Sequence, residues 1–116
     1  MSGASRRKGI AGEAEVAAIF RAAGFHVRGL ESGGDHLAVG HPGSGLVLHL
    51  ESKRQETARP WQWWEQATGD AGAGIVPIVA FRRNRSRWLG LVDLEQLARL
   101  LADVRSEQLE LPEQPT

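Results

Sequence analysis

The sequence predicts an α/β domain: a central, mixed, five-stranded sheet flanked by helices in the order α-β-β-β-α-β-β-α. Three observations carry that expectation. Helix-period segments open and close the chain and a third lies between them. Short alternating segments joined by glycine-containing turns precede the middle helix, and a continuous apolar run, Ile75 to Phe81, has the look of a strand covered on both faces. With 116 residues there is material for one core and not for two.

Residues 1–8 form a flexible basic arm ending in Arg6, Arg7 and Lys8, residues 9–104 form the domain, and residues 105–116 form an acidic, proline-containing flexible tail. From Gly9 to Ala23 an alanine-rich segment is helical, and Gly24 stops it. Its apolar stripe centres on Val16, Ala17 and Phe20. Glu13 falls inside that stripe, whereas Glu15 points away from it. A carboxylate on the buried side of a helix requires a cation, and an arginine partner is the simplest one.

Phe25 to Leu30 alternates as a strand, Glu31 to Gly34 is a turn, and Asp35 opens a second strand on which Asp35, Leu37 and Val39 share a face. His41 to Gly45 is turn material, so this strand and Leu46 to Lys53 form an antiparallel hairpin. On the latter, Leu46, Leu48, Leu50 and Ser52 take one face and Val47, His49, Glu51 and Lys53 the other. The hairpin draws Asp35 towards Glu51. Two acids at one end of a hairpin repel unless they hold a cation.

Pro60 begins the second helix. Trp61, Trp64, Glu65 and Thr68 lie on one of its sides, Trp63, Gln66, Ala67 and Asp70 on another. Three tryptophans in four positions either fill a core or subunit interface, or stack on bases. Gln62 and Gln66, four apart, are placed to meet a phosphate or a water. Pro77, inside the apolar run, marks a strand end that lacks a neighbour. Arg82, Arg83, Arg85 and Arg87 occupy the link to a paired strand, Trp88 to Val92, and serve either as a solvated loop or as a phosphate rail. Asp93 caps a third helix with a buried stripe of Leu94, Leu97, Ala98, Leu101 and Val104.

Composition narrows the chemistry. The chain has no cysteine, which removes disulfides and thiolate metal sites. No apolar stretch reaches membrane-spanning length and no signal-type block follows the basic start, so a cytoplasmic protein is expected. The formal net charge is zero, with 14 basic and 14 acidic residues, so attraction to nucleic acid has to come from local clusters. The four histidines lack ligand spacing, and only His49 shares a face with Glu51.

An acid on the first helix, an acid opening a strand, and Glu51-x-Lys53 on the next strand form an arrangement that resembles the PD-(D/E)xK nuclease superfamily. Within it, the segment SRRKGIAGEAEV is similar to the Lys-Gly-x-x-x-Glu opening of archaeal-type Holliday junction resolvases and their phage relatives. RGLESGGDHLAVG is similar to that family's serine-glycine loop and motif aspartate, and LHLESKRQE to its Glu-x-Lys strand. Gly34 stands where the family usually has proline, and His36 where it has an apolar residue. The resemblance covers residues 5–100 and implies a restriction-endonuclease-like fold. It further implies that Glu13, Asp35 and Glu51 bind Mg²⁺, with Mn²⁺ as a substitute, that Lys53 activates water, and that Ser32 helps to position the scissile phosphate. Arg6, Arg7, Lys8, Arg54, Arg82, Arg83 and Arg85 would contact DNA. The implied activity is cleavage of four-way DNA junctions by a homodimer, in a phage or cellular host, as recombination and repair require. Another nuclease of the superfamily and a non-catalytic DNA-binding module are the alternatives.

Overall fold

In the computed structural model the chain is described over residues 3–29 and 36–103, with side chains from 12–29 and 37–103. The elements are α1 (Gly3–Ala22), β1 (His26–Gly29), β2 (His36–Gly40), β3 (Val47–Arg54), α2 (Pro60–Asp70), β4 (Val76–Arg82), β5 (Leu89–Leu91) and α3 (Leu94–Ala102). Their order is the expected one. The strands make a single sheet in the order β1-β2-β3-β4-β5. All neighbours are antiparallel except β3 and β4, which run parallel. A parallel pair needs a crossover, and α2 supplies it.

The alternation of β3 decides which helix meets which residues. Leu48 and Leu50 face α1 and, with Val16, Ala17, Leu37, Val39, Val76 and Ala80, form the larger core. On the other face Trp63 and Ala67 of α2 close over Val79, with Phe81, Trp64 and Leu91 packed against them. Residues of β2 and β4 fall on the face of the β3 residue they register with: Leu37 with Leu50, Val39 with Leu48, Val79 with Glu51 and Phe81 with Lys53. The tryptophans divide accordingly. Trp63 is core, Trp64 is half-buried, and Trp61 is 81% exposed.

Several local expectations shift. The helix α1 starts at Gly3, so the backbone of 3–8 continues the helix rather than forming an arm. Nothing in Ala4 to Lys8 breaks a helix, and arginine and lysine are good helix formers. Glu15 does not point away: its carboxylate meets Arg82 at 3.6 Å. The leucine stripe of α3 is not buried. Asp93 caps the helix as expected, accepting from Gln96 N at 2.9 Å. Yet Leu94 is 76% and Leu101 60% exposed, and only Leu100 packs on the larger core. Periodicity identifies a helix with an apolar face and is silent on what covers that face. Ser32, Asp35, Val104 and the tail 105–116 lie outside the described residues, as do the side chains of Arg6, Arg7 and Lys8.

Pro77 behaves as its missing amide hydrogen requires. The β4–β5 register covers only Val79 to Phe81 against Leu91 to Leu89, so β5 stops short of the proline. Among the described residues no helix is long and apolar enough to cross a membrane.

Urea denaturation checks the split between core and surface leucines. Leu50→Ala should lose about 2–5 kcal/mol through cavity formation. Leu101→Ala, on the uncovered face of α3, should stay within about 0.5 kcal/mol of the parent at protein concentrations where the chain is monomeric.

Candidate functional site

Strand alternation puts His49, Glu51 and Lys53 on the face of β3 that α2 covers, and the side of α2 facing them carries Gln66 and Asp70. Glu51 has no exposed surface and His49 is 6% exposed. Their side chains approach within 3.3 Å, His49 Nε2 to Glu51 Oε1. Asp70, the last residue of α2, completes a group in which one donor atom from each residue lies within 4.8 Å of the others. An imidazole and two carboxylates so arranged could hold a metal ion. Next along the strand, the Lys53 ammonium donates to Gln66 Oε1 at 2.9 Å. Gln66 therefore fixes where that charge sits, one residue pair from Glu51.

Glu13 approaches from the other side. Its Oε1 lies 3.5 Å from the point a Cβ on Gly29 would occupy, which places it over the last residue of β1 on the α1 face. Gly29 registers with Leu37, and Leu37 with Leu50, so Glu13 stands one row before Glu51 but across the sheet from it. The row that Asp35 shares by parity, Leu37 and Val39, also packs on α1. Asp35 and Ser32 themselves lie outside the described residues. The structure thus brings His49 and Asp70 to Glu51 on the α2 face, while the predicted helical acid reaches the same end of the sheet from behind.

The expected arginines separate into two groups. Arg54 and Arg82 are half-buried on the α1 face. Arg82 is held by Glu15 at 3.6 Å and lies 5.5 Å from the ring centroid of Trp88, a cation–π distance. Arg54 Cβ and the Trp88 ring both lie beside Gly12, 3.8 and 3.4 Å from the point a Cβ there would occupy. Arg83, Arg85 and Arg87 are exposed in the β4–β5 hairpin. That hairpin is tied down: Asn84 N donates to Glu56 Oε1 at 2.9 Å, and Arg83 N to Ser86 Oγ at 3.1 Å. Arg85 has φ of 62°, a left-handed conformation that glycine or asparagine adopts at lower cost.

Because α2 lies over β3 and β4, the same face of β1 and β2 is open. A groove of about 340 Å³ runs there, lined among others by His26, Arg28, Ala38, Gly40 and Val47. Arg28 registers with Ala38 and Ala38 with His49, so the groove floor leads by one row directly to the buried cluster.

Sequence reasoning missed Asp70 and Arg28 as site residues and set His49 aside. Parity had placed His49 beside Glu51 and Asp70 beside Gln66; what it lacked was the height of α2 along β3, which only packing of Trp63 and Ala67 sets. No known family model matches the chain, and no curated protein matches it.

The two groups of arginines give a test by chemical denaturation. Arg82→Ala should cost about 1–2 kcal/mol, through loss of the half-buried pair with Glu15 and the stack on Trp88. Arg83→Ala and Arg85→Ala should each remain within about 0.5 kcal/mol of the parent.

Proposed function

We propose that the protein is a divalent-metal-dependent endodeoxyribonuclease that cuts branched DNA, four-way junctions above all, as a homodimer. One observation carries this: Glu51 and Lys53 share a face at the end of a central strand, with the Lys53 ammonium anchored by Gln66 at 2.9 Å. Also in favour is the element order, a helix, three antiparallel strands, a crossover helix on the opposite face and a parallel strand.

Glu51 would hold the cation with His49 and Asp70 as the donors beside it, while Glu13, a ligand by the motif, stands across the sheet and would not share that ion. A dication bound there would lower the pKa of a coordinated water and neutralise charge on the phosphate. Lys53 would orient the attacking water and meet the developing negative charge, with Gln66 as its hydrogen-bond partner. By the motif, Ser32 would supply the hydroxyl that orients the phosphate. Arg28 along the open groove and Arg83 and Arg85 on the tethered hairpin offer sequence-independent grip on the DNA backbone. The motif implies Mg²⁺ as the ion, with Mn²⁺ as a substitute.

Two opposed strands of a junction need two active sites, and a two-fold dimer supplies them. The exposed Leu89, Leu94 and Leu101 on β5 and α3 are apolar surface available for a second copy.

A DNA-binding module without turnover is the second reading, and the complete burial of Glu51 favours it. A carboxylate with no exposed surface must be uncovered before a phosphate reaches it.

Cleavage assays with Mg²⁺ and with Mn²⁺ on a four-way junction and on duplex, flap and single-stranded DNA of matched sequence decide between these. The junction should be cut at least about tenfold faster than the others, a difference of about 1.4 kcal/mol in barrier. Lys53→Ala and Glu51→Ala should slow cleavage by at least about 100-fold while junction binding survives. Binding with no cleavage under either metal would establish the module instead.

A further inference from the structure

The proposed reaction centre leaves open which ion it uses and which residues hold it on the α2 face. We propose that His49, Glu51 and Asp70 form the binding site of one first-row transition-metal dication, of the Mn²⁺ or Zn²⁺ kind, in preference to Mg²⁺. The inference rests on the nuclease reading only in sharing Glu51; the site itself is read from geometry and donor chemistry.

The donor set selects the metal class. Mg²⁺ takes oxygen ligands and retains waters, whereas an imidazole nitrogen with carboxylates suits manganese, cobalt and zinc. The distances agree. Two donors each about 2.0–2.2 Å from a shared ion, at angles between octahedral and tetrahedral, are about 2.8–3.6 Å apart. His49 Nε2 and Glu51 Oε1, 3.3 Å apart, fit that span, and Asp70, within 4.8 Å of both, has only to draw in to share the ion.

The scaffold makes the site rigid. Two ligands stand two residues apart on β3, a strand with hydrogen-bonded neighbours on both sides. The third ends α2, which Trp63 and Ala67 clamp to the sheet. The C-terminal end of an 11-residue helix carries partial negative charge, which adds to the attraction for a cation. Burial supplies the energetic reason. Removing the Glu51 carboxylate from water costs several kcal/mol, and a dication in contact with it offsets that cost more fully than a hydrogen bond does. Asp70 is exposed while His49 and Glu51 are not, so the ion enters, and keeps its open coordination positions, on the Asp70 side.

The test uses the full chain stripped with EDTA and then titrated calorimetrically with MnCl₂, ZnCl₂ or MgCl₂, with melting temperature followed in parallel. One Mn²⁺ or Zn²⁺ per chain should bind and raise the melting temperature, with Mg²⁺ at least about tenfold weaker. Asp70→Asn, at an exposed position, should fold normally and weaken Mn²⁺ binding at least about tenfold. His49→Gln, where it folds, should abolish the nitrogen modulation in the electron spin-echo of bound Mn²⁺. Unchanged Mn²⁺ affinity in Asp70→Asn, or Mg²⁺ binding as tight as Mn²⁺, overturns the site. If the site fails and wild-type protein still cuts junctions in Mg²⁺, the nuclease reading stands. Asp70-dependent Mn²⁺ binding without any cleavage would uphold the site and remove the nuclease.

Discussion

A carboxylate without exposed surface at the middle of a sheet sets the terms for everything around it. Glu51 has a strand on each side, a helix over it, and Leu48 and Leu50 holding its strand to a core on the far face. Such a group is tolerated when positive charge and hydrogen-bond donors converge on it, and it is strongly destabilising when one of them is removed. The neighbours are consistent with that demand. The His49 ring is in contact, and the Lys53 ammonium follows on the same face, bonded to Gln66 of α2.

The helix α2 thereby does two kinds of work with two faces of a short segment. Trp63 and Ala67 supply apolar contact that fixes the helix along β3, while Gln66 and Asp70, each three residues on from one of them, are delivered to the polar row. Neither polar residue could be positioned without the apolar pair. The side chain of Thr68 turns back to the carbonyls of Trp64 and Glu65 on the opposite, solvent side. A single three-to-four residue spacing thus serves both packing and chemistry.

How much of this the sequence revealed depended on whether the information was local. The eight elements and their order came from alternation, helical spacing, Pro60 and Asp93, all of which act within a few residues. The face shared by His49, Glu51 and Lys53 followed from the same alternation, as did the grouping of Trp63, Gln66, Ala67 and Asp70. What did not follow was contact between those two sets, because the vertical position of a helix over a sheet is set by side chains meeting at long range. The same limit explains Arg82 and Glu15. In sequence one belonged to a basic run and the other to the outer side of a helix, yet the parallel register of β4 with β3 carries Arg82 beneath α1. The α3 leucines show the converse: the pattern was right and the expected burial was not, since a stripe specifies a preference for cover and not its source.

Pro77 has a bearing that reaches past its own strand. Extending the pairing of Val79 with Leu91 by two positions would set Pro77 opposite Asp93, the residue at which the chain leaves the sheet to begin α3. The point where the ladder loses a donor and the point where the next helix is capped therefore coincide across the sheet. Lengthening the arginine hairpin is harmless as long as the extra residues bulge at its tip. A one-residue slip of β5 would invert its side chains and carry the helix cap out of step with the proline, so an insertion here is best tolerated at the tip.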